Sequence, residues 1–419
     1  MDVRAIPPSG PLRGTARLPG SKSIANRALL CAALAEGRSR IVGALGATDV
    51  RTMVENLRRA GVSLERSDEG VEVQGIGGPP RGFGGVFHAK EAGSVLRFLL
   101  PFLAAGEGTA LLTGFPRLLR RPIGPLVEAL AKLGALVSCK GACPPVSLQA
   151  RGLDGGEIEV SAEVSSQFAS ALLLAAPAMA RGLRIRLVGA ARSAPYLGLT
   201  VEVMSAFGAG VERAGPSFEA GPCAYRARTF PVEGDASAGS FLLAAAAIAG
   251  GRVRVEGVGT DSSQGDIRCL AFLERAGCGV SGGRDWLEVE GPAVRPFDAD
   301  LAASPDLLPP LAAVAACVGG RSRLRGAPHA RLKESDRIAA LAGGLARAGA
   351  LVVELPDGLE IEGRPEGLRG FAADPRGDHR LAMAFALLGL RAPGMGVADP
   401  RCVVKSFPEF FERLDSLRA

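Results

Sequence analysis

The start of one apolar helix carries two cations where helix electrostatics disfavours them. Residues 20–37 read GSKSIANRALLCAALAEG, and the Ala- and Leu-rich half predicts a helix that closes at Gly37. Lys22, Ser23 and Arg27 crowd its first turns. A helix is positive at this end, and a cation there is disfavoured by about 0.3–1 kcal/mol. An anion bound to these side chains and to the first backbone N–H groups would offset that cost.

Similar polar starts precede five other apolar helices. The polar or small residues at the six starts are Lys22, Ser23 and Arg27; Gly93, Ser94 and Arg97; Ser165, Ser166 and Gln167; Asp235 and Ser237; Asp306; and Asp378, His379 and Arg380. Three starts contain an Arg, and a guanidinium binds phosphate or carboxylate through paired hydrogen bonds. The pattern predicts that the starts converge on an anion. The alternative is that Arg27, Arg97 and Arg380 only extend to solvent.

Three further stretches are dense in charge. HARLKESDR brings Lys333, Glu334 and Arg337 to the expected start of an outer helix. RRPIGPL places Arg121 before a proline, which favours extended geometry at that Arg. VKSFP holds Lys405 in an otherwise apolar run. Because a buried lysine requires a partner, we expect an anion or a carboxylate close to Lys405.

The helices that position these residues recur six times along the chain. Each recurrence has small polar residues, an Ala- and Leu-rich helix, a Gly and an extended run, and the closing glycines lie 69–74 residues apart. A second, amphipathic helix type alternates with the first and ends at its own Gly, as at Gly61 and Gly349. We therefore expect an α/β (α+β) fold of six repeats in two domains, with the first helix type buried and the second exposed. Repeats this long argue against a solenoid, whose units usually have about 20–50 residues.

Composition narrows the class of ligand. The net charge is +6 with a pI near 9, which suits small anionic substrates. Basic runs with interleaved aromatics, as in nucleic-acid-binding proteins, do not occur. The eight cysteines form no CxxC pair and the chain has three histidines, which indicates reduced thiols in the cytoplasm and no metal site. The longest apolar stretches are shorter than the roughly 18–20 residues of a membrane span.

Eleven sequence motifs follow one another along the chain: LPGSKSIANRALL, EAGSVLRFL, RRPIGPLVEAL, SSQFASALLLAAP, SAPYL, EGDASAGSFLLAAAA, QGDIR, SPDLLP, RLKESDRI, GDHRLAMAFAL and VVKSFPEFF. In this order the motifs resemble one family of enzymes, 5-enolpyruvylshikimate-3-phosphate synthase. They span residues 18–411, which is nearly the whole chain. A single GSKS would be a weak signal, whereas eleven ordered motifs are specific.

The resemblance implies two globular domains, each of three βαβαββ units with pseudo-threefold symmetry, and an active site in the cleft between them. We expect a discontinuous domain of residues 1–18 and 235–419 and an inserted domain of residues 19–234. The implied reaction transfers the enolpyruvyl group of phosphoenolpyruvate to the 5-hydroxyl of shikimate 3-phosphate and releases inorganic phosphate. This is a step of the shikimate pathway to chorismate and the aromatic amino acids. We expect a cytoplasmic monomer that needs no cofactor or metal and binds neither nucleic acid nor membranes.

The resemblance also implies roles for individual residues. Those implied to bind shikimate 3-phosphate are Lys22, Ser23, Arg27, Ser165, Ser166, Gln167, Ser193, Tyr196, Asp306 and Lys333. Those implied to bind phosphoenolpyruvate are Lys22, Gly93, Arg121, Gln167, Arg337, Arg380 and Lys405. Asp306 is expected to take the proton of the attacking hydroxyl, and Glu334 to help protonate and deprotonate the methylene carbon. Lys22 completes the expected catalytic set.

Departures from the family pattern leave alternatives open. Glu91 and His329 stand where Asn is usual, and an anion at Glu91 motivates the alternative of an inactive substrate-binding relative. Phe98 stands where Pro is frequent, so sensitivity to glyphosate stays open although Gly93 keeps the small residue of sensitive members. The other alternative is the sister transferase that acts on UDP-N-acetylglucosamine. That enzyme typically has Lys-Asn in place of Lys22-Ser23 and a catalytic loop Cys, which FPRLLRRPIG lacks.

Overall fold

The structure, a computed structural model, divides the chain into two compact units. It describes residues 2–44, 46–161, 163, 165–189 and 195–418. Unit 1 comprises Met1–Pro19 and Gly234–Ala419, and unit 2 comprises Gly20–Glu233. Each unit encloses its own core of buried Leu, Val, Ile, Ala and Phe side chains. The chain therefore crosses between the units twice.

Two kinds of helix alternate along the described chain. The helices are α1 (Lys22–Leu34), α2 (Thr48–Arg59), α3 (Gly93–Ala104), α4 (Gly124–Lys132), α5 (Ser166–Ala175), α6 (Pro195–Ala206), α7 (Ala236–Ala249), α8 (Cys269–Arg275), α9 (Leu308–Ala316), α10 (Arg337–Ala348), α11 (His379–Gly389) and α12 (Phe410–Ser416). Odd-numbered helices are buried almost throughout, as in α7, where 13 of 14 residues are buried. Even-numbered helices keep a solvated face, as α2 does at Arg51, Arg58 and Arg59. The expected alternation of buried and exposed helices is confirmed.

One helix is shorter than the apolar segment that contains it, and another begins where its charged stretch ends. The apolar run of residues 165–182 is not helical throughout, because α5 ends at Ala175 and a 3₁₀ turn covers Ala176–Ala178. Pro177 has no N–H for a further α-helical hydrogen bond. The charged stretch HARLKESDR ends at the start of an outer helix, since Asp336 caps α10 and Arg337 is its first residue. Lys333 and Glu334 belong to the connection before it, which ends where the Asp336 side chain caps the helix.

The strands in the described part of the chain are short and form six sheets. They are β1 (Val3–Ile6), β2 (Leu12–Arg17), β3 (Glu36–Val42), β4 (Ser63–Ser67), β5 (Gly70–Ile76), β6 (Arg81–Phe83), β7 (Val86–His88), β8 (Glu107–Thr113), β9 (Leu136–Lys140), β10 (Cys143–Arg151), β11 (Gly156–Ser161), β12 (Leu183–Val188), β13 (Glu212–Ala214), β14 (Ser217–Ala220), β15 (Thr229–Pro231), β16 (Gly251–Glu256), β17 (Gly279–Gly282), β18 (Trp286–Gly291), β19 (Asp298–Asp300), β20 (Gly320–Arg325), β21 (Leu351–Leu355), β22 (Gly358–Gly363), β23 (Ala372–Ala373) and β24 (Met395–Ala398).

The three sheets of unit 2 share one topology. Their orders are β15-β3-β5-β4, β6-β8-β10-β9 with β7 also on β8, and β11-β12-β14-β13. In each sheet the first pairing is parallel, as in β11, whose Ile158 pairs with Ile185 of β12, and β7 also pairs parallel with β8. The remaining pairings are antiparallel. A parallel pair requires a crossover connection, and α3 and α5 supply it after β7 and β11. The repeat is therefore a βαβαββ unit.

Unit 1 repeats this topology with one change. Its sheets are β2-β16-β18-β17, β19-β20-β22-β21 and β23-β24-β1. In the last, β1 from the start of the chain pairs antiparallel with β24 where the other sheets have a hairpin strand. Strand β2 belongs to a sheet of unit 1 and is followed along the chain by α1 of unit 2. Strand β15 belongs to a sheet of unit 2 and is followed by α7 of unit 1. The expected α/β class with three repeats per domain is confirmed.

Within each unit, the starts of the buried helices come together. In unit 2, Asn26 Nδ2 lies 3.4 Å from Ser94 Oγ, which joins α1 to α3. In unit 1, Arg380 of α11 donates to Ser237 Oγ of α7 at 2.6 Å. The predicted convergence of helix starts is therefore confirmed inside each unit. None of the helices in the described residues combines the length and the apolar character of a membrane span.

Candidate active site

A buried carboxylate in unit 1 lies between two arginines. Asp306 occupies the 3₁₀ turn Pro305–Leu307 that leads into α9. Its Oδ1 accepts from Arg337 Nη1 at 2.9 Å, and its Oδ2 lies 3.1 Å from Arg380 Nη2. Asp306 is 7% exposed and Arg337 is fully buried. The starts of α9, α10 and α11 thus place opposite charges in contact away from solvent.

A second carboxylate extends this cluster. Glu334 Oε2 accepts from Arg337 Nη2 at 2.8 Å, and Glu334 Oε1 lies 3.1 Å from Lys405 Nζ. Lys333 Nζ lies 3.9 Å from Asp306 Oδ1. The carboxylate predicted to accompany Lys405 is therefore Glu334. We call Asp306, Lys333, Glu334, Arg337, Arg380 and Lys405 the acid–base cluster.

Opposing charges control the pKa values in this cluster. Burial alone would raise the pKa of Asp306, but Arg380, Lys333 and Arg337 together hold it well below its usual range. Burial would lower the pKa of Arg337, but Asp378, Glu334 and Asp306 raise it above its usual value. Asp306 is therefore ionised and Arg337 protonated at neutral pH.

Asp266, beside this cluster, shows the opposite shift. Burial raises its pKa to about 7, the negative charges of Asp306 and Asp235 add to the rise, and Arg380 opposes it. Asp266 lies in the 3₁₀ turn Gly265–Arg268 and is 4% exposed. The Arg380 side chain is thus placed near two buried carboxyl groups whose pKa values are displaced in opposite directions.

In unit 2, Arg27 is buried against uncharged groups. Its Nε donates to Thr200 Oγ1 at 2.8 Å, Nη1 to the Ser23 carbonyl at 2.7 Å, and Nη2 to Ser170 Oγ at 3.3 Å and the Tyr196 carbonyl at 3.2 Å. The guanidinium carbon lies 4.9 Å from the centre of the Phe98 ring. Burial lowers the pKa of Arg27 to about 10. The alternative in which Arg27 only extends to solvent was therefore wrong.

Lys22 and the start of α5 provide further predicted site residues in unit 2. Lys22 Nζ lies 3.3 Å from Asp49 Oδ2. Ser165 caps α5 by accepting from the Gln167 N–H, and Ser166 is buried at the first position of that helix. Ser193 lies outside the described residues.

Gly93 and Arg121 lie against each other in unit 2. A Cβ added at Gly93 would lie 2.7 Å from both Cζ and Nη1 of Arg121. Gly93 is the first residue of α3, so the Arg121 guanidinium lies beside a positive helix start. Only a residue without a side chain permits this approach. Glu91 lies half-buried in the turn that leads to Gly93.

The comparisons with known proteins agree over the whole chain. The family model described as EPSP synthase (3-phosphoshikimate 1-carboxyvinyltransferase) matches residues 6–414. The chain belongs to the EPSP synthase family. A 3-phosphoshikimate 1-carboxyvinyltransferase of Sulfurovum sp. (strain NBC37-1) is 41% identical, covering 100% of this chain and 99% of that protein. One of Methanoculleus marisnigri is 42% identical, covering 97% of each.

A solved structure gives the same result. The 2.37 Å structure of EPSP synthase from Acinetobacter baumannii matches with a TM-score of 0.83 at 26% identity, and the match covers 99% of this chain and 98% of that one. Membership of the EPSP synthase family and the fold of its members, both expected from the ordered motifs, are thereby confirmed.

Sequence reasoning missed two residues that hold the site of this EPSP synthase family member together. Asp378 caps α11 and also accepts from Arg337 Nε at 2.8 Å and Nη2 at 3.2 Å. Arg97 contacts Ser165 and Gln167. Both stand at buried helix starts, so the repeat pattern pointed to them without indicating their partners. In the described ranges no three His, Cys, Asp or Glu side chains are arranged to hold a metal ion.

Proposed function

We propose that the chain catalyses the reaction for which its family is named. The 5-hydroxyl of shikimate 3-phosphate would attack C2 of phosphoenolpyruvate, and the enolpyruvyl group would be transferred with release of inorganic phosphate. The observation that carries the proposal is the buried Asp306, held between Arg337 and Arg380, in a chain that matches the family from end to end. The substrates bring two phosphates and two carboxylates, which several cations must bind.

The proposed reaction has an addition step and an elimination step. In the addition, the hydroxyl oxygen bonds to C2, its proton passes to the Asp306 carboxylate, and C3 takes up a proton with the help of Glu334. In the elimination, C3 returns that proton, the double bond re-forms, and the bond from C2 to the phosphate oxygen breaks. The hydroxyl proton leaves with phosphate, so the protons balance. Each transfer requires a carboxylate within about 3 Å of the moving proton.

The low pKa of Asp306 fits this role only if substrate changes its surroundings. A carboxylate held by Arg380, Lys333 and Arg337 is a weak base. Anionic phosphoenolpyruvate would compete with the Asp306 carboxylate for the positive charges of Arg337, Arg380 and Lys405. The cations would then stabilise the Asp306 carboxylate less, its pKa would rise, and it would accept the hydroxyl proton more readily.

Unit 2 would supply much of the binding for shikimate 3-phosphate. We assign this role to Lys22, Ser23, Arg27, Ser165, Ser166, Gln167, Ser193 and Tyr196, together with Lys333 and Asp306 of unit 1. Gly93 and Arg121 would bind phosphoenolpyruvate. The proposal requires that both units act on the same substrate pair.

A phosphate-release assay tests the proposal against its alternatives. The full chain is incubated with phosphoenolpyruvate and either shikimate 3-phosphate or UDP-N-acetylglucosamine. We expect phosphate release with shikimate 3-phosphate alone. Release only with the UDP-sugar would identify the sister transferase. Release with neither, from a protein that unfolds cooperatively, would identify an inactive relative.

We also propose a monomer in the cytoplasm. None of the eight cysteines, all of which lie in the described residues, forms a disulfide, and four of them are buried, which suits a reducing compartment. Sedimentation of the purified chain tests the oligomeric state.

A further inference from the structure

Arg97 of unit 2 is a buried cation that the proposed substrate contacts do not use. It lies in the first half of α3 and is 6% exposed. Its Nη1 donates to Gln167 Oε1 at 2.8 Å and to Ser165 Oγ at 3.3 Å. Its Nη2 donates to the Pro122 carbonyl at 3.0 Å. Arg97 therefore joins the start of α5 to the residue that follows Arg121.

The ring of Phe168 lies beside this guanidinium. The Arg97 Cζ lies 4.9 Å from the centre of the Phe168 ring, and Phe168 is fully buried. A cation is attracted by the electrons of an aromatic ring, and the planar guanidinium directs its N–H groups at partners around its edge. A lysine has neither the flat surface nor the forked donors to make the same set of contacts.

The contact with Gln167 sets the polarity of its amide. A guanidinium only donates hydrogen bonds, so the Gln167 atom that faces Arg97 must be the carbonyl oxygen. The amide nitrogen is then on the other branch of the side chain and offers N–H groups to a further partner. That is the polarity required to bind an anion, since the reverse orientation would present an oxygen to the negatively charged substrate.

We propose that Arg97 is a positioning residue that holds Gln167 as a hydrogen-bond donor toward the anionic substrates. The inference rests on the proposed function, in which Gln167 binds both substrates. Arg97 acts through Gln167 and does not itself touch the reacting atoms. Its contact with the Pro122 carbonyl keeps the same guanidinium anchored next to the Arg121 segment.

A double-mutant cycle between the two positions tests the inference. Steady-state phosphate release is measured for wild type, Arg97→Lys, Gln167→Ala and the double variant. We expect Arg97→Lys to raise KM for both substrates at least tenfold. In the Gln167→Ala background the same substitution should change KM less than threefold, since the amide through which Arg97 acts is gone. Effects that simply multiply would overturn the proposal.

A second variant leaves Arg97 in place and replaces the amide N–H donor of Gln167 by a negatively charged acceptor. In Gln167→Glu the carboxylate accepts the same Arg97 hydrogen bonds but presents an oxygen to the substrate. We expect at least a tenfold rise in KM with an unchanged or raised thermal midpoint. A variant with wild-type KM would overturn the proposal.

Arg58→Lys is the matched control. Arg58 also donates two hydrogen bonds to a carbonyl in unit 2, that of Leu64, and neither bond goes to a residue of the proposed site. We expect it to change thermal stability without changing KM. Wild-type protein that releases no phosphate would refute the proposed function itself. Active wild type in which the Arg97 and Gln167 substitutions change KM independently of each other would refute only the role of Arg97.

Discussion

The two units compensate their buried cations differently. In unit 1, the arginines and lysines of the acid–base cluster contact Asp306, Glu334 and Asp378 at 2.8–3.9 Å. In unit 2, Arg27 is buried as well, yet none of its four hydrogen bonds within the described residues goes to a carboxylate. Unit 1 therefore holds paired charge, and unit 2 holds a cation solvated by hydroxyl and carbonyl oxygens.

This difference indicates a division of labour. A buried cation with only neutral partners keeps its attraction for an incoming anion, so unit 2 is suited to bind a phosphate or carboxylate. Where cations and carboxylates are in contact, the cations hold the carboxylates ionised, so unit 1 is suited to receive protons once substrate anions compete for those cations. The predictions below test the contrast, from the largest expected effect to the smallest.

Removing the central carboxylate of unit 1 should have the largest effect. Asp306→Ala takes away the proposed proton acceptor, and we expect kcat to fall at least a hundredfold, on the scale of losing a general base. The measurement is steady-state phosphate release at saturating substrates. Asp285→Asn, at an exposed position of the same unit, should retain wild-type turnover. Undiminished turnover of Asp306→Ala would remove the assignment of proton transfer to unit 1.

Replacing Arg27, the buried cation of unit 2 whose partners are uncharged, should weaken substrate binding. Arg27→Lys cannot make the four hydrogen bonds of the guanidinium, and we expect affinity for shikimate 3-phosphate to fall by about 2 kcal/mol, roughly thirtyfold. The check is calorimetric titration with shikimate 3-phosphate, alongside thermal unfolding. Arg38→Lys, at an exposed pair with Glu72, should bind normally. Equal affinity in both variants would contradict a binding role for Arg27.

Adding one methyl group beside Arg121 should have an intermediate effect. Gly93→Ala places a Cβ 2.7 Å from the Arg121 guanidinium, so that side chain must move. We expect KM for phosphoenolpyruvate to rise about tenfold, equivalent to roughly 1.4 kcal/mol. Because Ala is more favourable than Gly in a helix, we expect the thermal midpoint not to fall. Gly343→Ala in α10, where a Cβ meets nothing within 4 Å, is the control and should leave KM unchanged.

The last prediction concerns the pH dependence of stability and not catalysis. Asp266 has a pKa raised to about 7, so the folded protein holds a proton that the unfolded chain releases near pH 4. The folded state binds more protons in this window, and stability contributed by Asp266 is therefore lost as pH rises from about 4 to 7.

Asp266→Asn isolates this contribution. Urea unfolding of wild type and variant across that pH range should show wild type losing stability relative to the variant as pH rises. Parallel curves would mean that Asp266 does not titrate in this window. The pKa of Asp266 would then not be raised, and the opposite shifts within unit 1 would not hold.

The sequence alone determined the repeats and the kinds of residue at their starts. Apolar periodicity depends on neighbours three and four residues apart, so the alternation of buried and exposed helices could be predicted. Ordered motifs identified the family. The end of α5 before Pro177 could not be read from the apolar pattern, because 3₁₀ turns depend on single residues.

Only the tertiary structure decided which of these residues touch. Arg337 and Asp378 are 41 positions apart, and Arg97 and Gln167 are 70 apart, yet both pairs are in hydrogen-bond contact. Spacing along one helix cannot reveal such partners, since they arise where three helices pack together. The charge balance of each cluster follows from those contacts, because burial and neighbouring charges together set every pKa.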